Sequence, residues 1–207
     1  MNRSPPPPPP AVVMRRRAQL VLIALLFLGP LALSFWAYYG ARFRPSGHTN
    51  RGELVTPARP LPAAILATPG GAVTTAALLQ GHWSLVDIAR AACDRRCVAA
   101  LEASGRVRHS LGADVGRVRR VLLVSAPCCE LELAAAARAD LDVAWLADAD
   151  GRRVLATFAV AGEPALQAGL TYVVDPLGNL MMSYAPGATE QDVLRDLGQL
   201  LKLSHIG

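Results

Sequence analysis

The chain has 207 residues, 52% of them hydrophobic, with a formal net charge of +5 and a pI near 9.4. Six of its 21 basic residues lie before residue 45 and all 16 acidic ones after residue 50, so residues 45–207 carry 15 basic and 16 acidic groups, a formal net of −1. The excess positive charge belongs to the N-terminal segment alone, which removes the electrostatic case for nucleic-acid binding.

Six consecutive prolines at 5–10 predict an extended, solvated start. Arg15, Arg16 and Arg17 then precede an uncharged run at 18–39. At about 1.5 Å per residue that run spans roughly 33 Å, enough for a hydrocarbon core of about 30 Å. Trp36, Tyr38 and Tyr39 sit at its far end, where an aromatic belt belongs. No small-x-small cleavage signature follows Tyr39 before Arg42 and Arg44, which favours a retained anchor over a cleaved signal peptide. Arg3 and Arg15–Arg17 outnumber Arg42 and Arg44, so the positive-inside rule predicts a single pass through the inner (cell) membrane with a cytoplasmic N-terminus. The C-terminal domain is then expected in the periplasm. The expected organisation is a Pro/Arg-rich tail (1–17), a transmembrane anchor (18–40), an extended Pro/Gly-rich tether (41–75) and one domain (76–207), long enough for a packed core.

Within that domain the predicted elements alternate. A strand is expected over 83–89 and a helix over 97–111. The uninterrupted apolar run around 120–126 suits a strand buried on both sides. A short helix over 131–138 and a short strand over 142–146 follow, and 147–168 shows no clear pattern. Strands over 171–174 and 180–184 flank the turn Asp175-Pro176-Leu177-Gly178-Asn179, a hairpin signal. Thr189-Glu190-Gln191-Asp192 resembles a capping box with Asp in the Glu position and opens a last helix through about Leu203. The pattern predicts an α/β, thioredoxin-like domain with one N-terminal transmembrane helix.

The chemistry-bearing residues are the four cysteines. Cys93 and Cys97 follow the first core strand and open the next helix, at the strand end where ligands of such sheets bind. A helix N-terminus favours thiolate, the form that both attacks disulfides and binds soft metals. Two small core residues would show the same spacing. Cys128 and Cys129 follow the 120–126 strand; if the two strands are parallel neighbours, all four sulfurs share one edge. His48, His82, His109 and His205 fall at positions typical of surface residues, and Met181-Met182 on a strand places one thioether in the core.

These residues resemble the Sco family of copper chaperones for cytochrome c oxidase assembly. Gly81-His82-Trp83-Ser84-Leu85-Val86 is similar to the family's lead-in to its first core strand. Cys93-Asp94-Arg95-Arg96-Cys97 is similar to its Cys-x3-Cys loop, and Tyr172-Val173-Val174-Asp175-Pro176-Leu177-Gly178 to its strand and hairpin. The likeness covers about 80–203. It implies copper bound by Cys93 and Cys97, oxidase subunits or assembly factors as partners, and the membrane as location. The family's third ligand, a histidine before the hairpin strand, falls here on Gln167, and the prolines after the family's cysteines are absent. Only Cys93 and Cys97 carry over. Three functions fit the resemblance: copper delivery, reduction of the oxidase's copper-site cysteines with Cys93 attacking and Cys97 resolving, or a non-catalytic scaffold.

Overall fold

The computed structural model describes residues 10–39, 50–90, 93–125, 140–160, 162–168, 171–204 and 206. The chain divides into two compact units, Met1–His48 and Thr49–Gly207. The first contains helix α1 (Pro10–Tyr39), which starts earlier than the apolar run and carries Arg15–Arg17 on its first turns. Within it Met14–Tyr39 is long and apolar enough to cross a membrane, with a mean hydropathy of 2.4 in its most apolar window. Its apolar side chains are exposed, as lipid-facing ones would be.

The second unit is built on one eight-stranded sheet, ordered β1-β8-β7-β4-β5-β6-β2-β3. The strands are β1 (Glu53–Pro60), β2 (Ile65–Thr68), β3 (Gly71–Thr74), β4 (Trp83–Ala89), β5 (Val118–Val124), β6 (Leu141–Trp145), β7 (Thr171–Val174) and β8 (Asn179–Tyr184). β4, β5 and β6 run parallel and in register, Ala89 opposite Val124 and Val124 opposite Trp145, so their carboxyl ends stand level. β7, β8 and β1 continue the sheet antiparallel on one side, β2 and β3 on the other.

The helices are α2 (Thr75–Leu79), α3 (Arg95–His109), α4 (Ala149–Thr157), α5 (Ala165–Ala168) and α6 (Glu190–Leu203), with a 3-10 turn at Gly112–Arg117. Alternation along β4 divides them between the sheet faces. Val86 packs with Leu78, Val154 and Phe158 of α2, α4 and the turn after it. Trp83 and Leu85 pack with Val107 of α3 and Leu197 of α6. The result is a three-layer α/β/α domain. Phe158 and Tyr172 meet edge to face on the first side, centroids 5.1 Å apart. Burial pushes the Tyr172 phenol up to about 12.

The capping box forms as expected: Thr189 Oγ1 accepts from the Asp192 amide at 3.2 Å, and Asp192 Oδ2 accepts from the Thr189 amide at 3.2 Å. The Asp175 carboxylate accepts from the Leu177 and Asn179 amides, and Gly178 takes φ +85 to close the β7–β8 hairpin. Within the segment expected as an extended tether (41–75), residues 53–74 contribute β1, β2 and β3 to the sheet. The 147–168 stretch holds α4, capped by Asp148 on the Gly151 amide at 2.7 Å, and α5. The helix after the cysteines spans Arg95–His109 rather than 97–111. The expected 131–138 helix and the residues Cys128, Cys129, His48 and His205 lie outside the described residues.

Candidate functional site

The level carboxyl ends of β4, β5 and β6 form the floor of the site. From β4 the chain runs through Arg90 to Cys93 and enters α3 at Arg95. Asp94 is the N-cap: its Oδ1 accepts from the Arg96 amide at 3.0 Å and the Cys97 amide at 2.9 Å. An Asp cap of this kind stabilises a helix by about 0.5–2 kcal/mol over Ala. Cys97 therefore stands on the first turn and Cys93 just ahead of the cap.

The two sulfurs are bonded to each other, with Cα atoms 5.1 Å apart. Both cysteines are half-buried, packed with Val98 and Trp145 against the buried cluster Ala89, Leu101, Leu122 and Val124. One side of the pair is anchored in the core and the other reaches solvent. The strand order does bring the carboxyl end of β5, which leads toward Cys128 and Cys129, beside that of β4.

Beneath α3 lies a buried polar chain. Asp87, in the middle of β4, accepts from Thr171 Oγ1 of β7 at 2.7 Å and from Ser104 Oγ of α3 at 3.0 Å. Arg120 of β5, only 2% exposed, donates to Ser104 Oγ at 3.3 Å, to the Leu101 carbonyl and to Asp140 Oδ1 at 2.5 Å. Asp140 also faces Arg108 at 3.1 Å. Burial pushes the Asp87 carboxyl up, opposed by the hydroxyls of Thr171 and Ser104 and by the Arg120 charge. This chain ties α3, and with it Cys97, to β4, β5, β7 and the approach to β6.

Gln167 lies in α5, ahead of β7, and no histidine joins the cysteines among the described residues. His82 precedes β4, at the end opposite the site, and His109 is exposed at the far end of α3. Met182 is core, Met181 half-buried. Among the described residues no group of three or more His, Cys, Asp or Glu side chains could hold a metal ion. The functional residues not singled out from the sequence are Asp94 and Asp87. Their signals are an acid directly ahead of a helical run, and an acid inside an otherwise apolar strand.

A family model described as "transmembrane-like, thioredoxin-like, C-terminal domain" matches residues 83–204, from the first residue of β4 to the end of α6. The chain belongs to this family. Among solved structures it is similar to the apo Sco1 protein of Thermus thermophilus: 24% identity over 75% of this chain and 99% of that one, TM-score 0.59. ScoI of Bradyrhizobium japonicum with copper bound shares 18% identity over 68% and 98% of the two chains, TM-score 0.51. BsSco, a member of the Sco family of cytochrome c oxidase assembly proteins in which a disulfide switch was identified, shares 17% over 71% and 96%, TM-score 0.51. These likenesses establish the thioredoxin-like fold expected from the strand–helix pattern. No curated protein matches the sequence.

Proposed function

We propose that this chain is a membrane-anchored, Sco-like assembly factor for a respiratory cytochrome c oxidase, with Cys93 and Cys97 as its working residues. The observation that carries the reading is the bonded Cys93–Cys97 pair at the N-terminus of α3, on the carboxyl edge of the parallel strands. Once reduced, Cys93 attacks a disulfide on the client, forming a mixed disulfide and releasing one client thiolate. Cys97 then attacks Cys93, which restores the bond seen here and frees the second client thiolate. Two electrons and two protons pass to the client, and a thiol reductant must return them to the pair.

Copper delivery is the second reading, favoured by the copper-bound neighbour of the same fold. Reduced, the two sulfurs are soft donors suited to Cu(I) as cargo. The position where the resemblance calls for histidine is Gln167, and an amide is a poor ligand for that ion. Cu(I) would then rest on Cys93 and Cys97, with Cys128 or Cys129 as candidate third donors. Exchange therefore ranks first.

The same proposal places residues 1–17 in the cytoplasm, 18–40 in the inner membrane and 50–207 in the periplasm. Protease added to spheroplasts should then digest the domain; protection of an intact domain would reverse the orientation.

Full-length chain, reduced in detergent, separates the readings when titrated with Cu(I) against a competing chelator and, in parallel, equilibrated with thiol redox buffers. Exchange predicts a defined Cys93–Cys97 reduction potential that Cys93→Ser and Cys97→Ser both abolish. Tight binding of one Cu(I) per chain, lost in Cys93→Ser, would move copper delivery to first place. Neither property would leave a scaffold and sink both readings.

A further inference from the structure

The cations of the domain are almost all spoken for. Arg51, Arg106, Arg108, Arg120 and Arg153 face carboxylates. Arg59, Arg119 and Arg152 donate to backbone carbonyls, and Arg117 pairs with Asp114. Of those left, Arg195 acts on Asp192, and Lys202 occupies the last turn of α6, where a helix favours positive charge.

The remaining three described arginines of the domain are Arg90, Arg95 and Arg96. All are exposed, and none of the three side chains has a hydrogen bond or ion pair among the described residues. They surround the dithiol in sequence: Arg90 stands three residues before Cys93, and Arg95 and Arg96 lie between the cysteines. Their placement works against stability. Arg95 and Arg96 occupy the first turn of α3, which has no acidic residue, and positive charge there opposes the helix dipole. Asp94, the one carboxylate within residues 90–97, is turned to the Arg96 and Cys97 amides rather than to a guanidinium.

We infer that Arg90, Arg95 and Arg96 form a cationic collar that docks an acidic segment of a thiol-bearing partner protein onto the Cys93–Cys97 pair. The proposal rests on the exchange reading above and names the client's chemistry: cysteines flanked by Asp or Glu. No exposed large apolar side chain accompanies the collar in residues 90–97, so a surface that inserts into lipid is disfavoured. Guanidinium forks instead match carboxylates in geometry as well as charge.

The test uses oxidised full-length chain in zwitterionic micelles and three dicysteine peptides of one spacing, flanked by Asp, Gln or Lys. Each peptide reduces the Cys93–Cys97 bond and leaves as its own disulfide. Product is quantified at Cys93 and Cys97 by mass spectrometry after alkylation. Each rate is divided by that peptide's rate with an uncharged small disulfide, which removes the intrinsic reactivity of its thiols.

At low salt the Asp peptide should react on the order of tenfold faster than the Gln peptide, and the Lys peptide slower. At about 0.5 M salt the three should converge. Arg90→Gln/Arg95→Gln/Arg96→Gln should equalise them at low salt while leaving reduction by uncharged dithiothreitol unchanged. Arg95→Gln alone should lie between.

An unchanged ratio in the triple variant, or no preference for the Asp peptide, overturns the proposal. Equal slowing with every reductant, dithiothreitol included, also overturns it and assigns the arginines to stabilising the cysteine thiolates. An effect of the triple variant that appears only in vesicles containing phosphatidylglycerol assigns the collar to lipid headgroups. If dithiothreitol itself fails to reduce the pair, the exchange reading falls and the docking with it.

Discussion

Asp87 meets a different element on each side: Ser104 from α3, Thr171 from β7, and the charge of Arg120 from β5. Its carboxyl is raised, chiefly by burial, so the folded state holds its proton more tightly than the unfolded chain does. The linked stability is complete below the unfolded value of 3.8 and is lost as pH rises through the folded value. Asn at this position does not titrate. The urea midpoint of Asp87→Asn should therefore improve relative to the parent from about pH 4 upward to neutral. A constant difference, or one moving the other way, would mean that Arg120 keeps the carboxylate charged. The dithiol itself is legible in the sequence, because a Cys-x3-Cys behind an apolar run is a local pattern. The partners of Asp87 are not, lying 17 and 84 residues away across strands whose order no local pattern encodes. Asp94 does carry a local signal. A helix begun at Cys97 leaves that acid outside, and its hydrogen bonds to the Arg96 and Cys97 amides move the start back to Arg95.

Among the elements, β1 departs furthest from its sequence pattern. Pro57 and Pro60 read as linker, yet β1 lies at a sheet edge, where a missing amide proton is tolerated. Likewise Pro69 and Gly70 are the two-residue turn of the β2–β3 hairpin. The core strands 83–89 and 171–174, the hairpin and the last helix were all legible, because continuous apolar runs and a capping box are properties of short windows. What fastens β1 is distant. Asp196 of α6 is buried, and its Oδ2 accepts from the Arg51 amide at 2.7 Å, the Gly52 amide at 2.8 Å and Tyr184 Oη at 3.2 Å. Gly52 has no Cβ because one would stand 2.6 Å from the Tyr184 ring. Asp196→Ala leaves three donors without their acceptor, which should destabilise the domain by about 1–3 kcal/mol. It should also speed protease cleavage between residues 50 and 60, read by mass spectrometry. An unchanged cleavage pattern would show that strand pairing with β8 alone holds the segment.

At the scale of the whole molecule, the parallel strands β4, β5 and β6 supply the floor on which the dithiol stands, and the antiparallel strands close the sheet around them. The strand order also sets a timetable. β1 is made first but has only β8 as its strand neighbour, and the Gly52 amide binds a carboxylate 144 residues further along. A chain that emerges N-terminus first can assemble β4, β5 and α3 while β1 is still alone. Its seat is built only after β8 and α6 have emerged, so final closure must await nearly the whole polypeptide. Until then the edges of β1 and β7 that β8 will fill are open to any other extended chain, which is the interval in which a chaperone would matter most. By the same reasoning, a truncation that removes α6 would take away the carboxylate that holds the Arg51 and Gly52 amides and leave the first strand with its pairing to β8 alone.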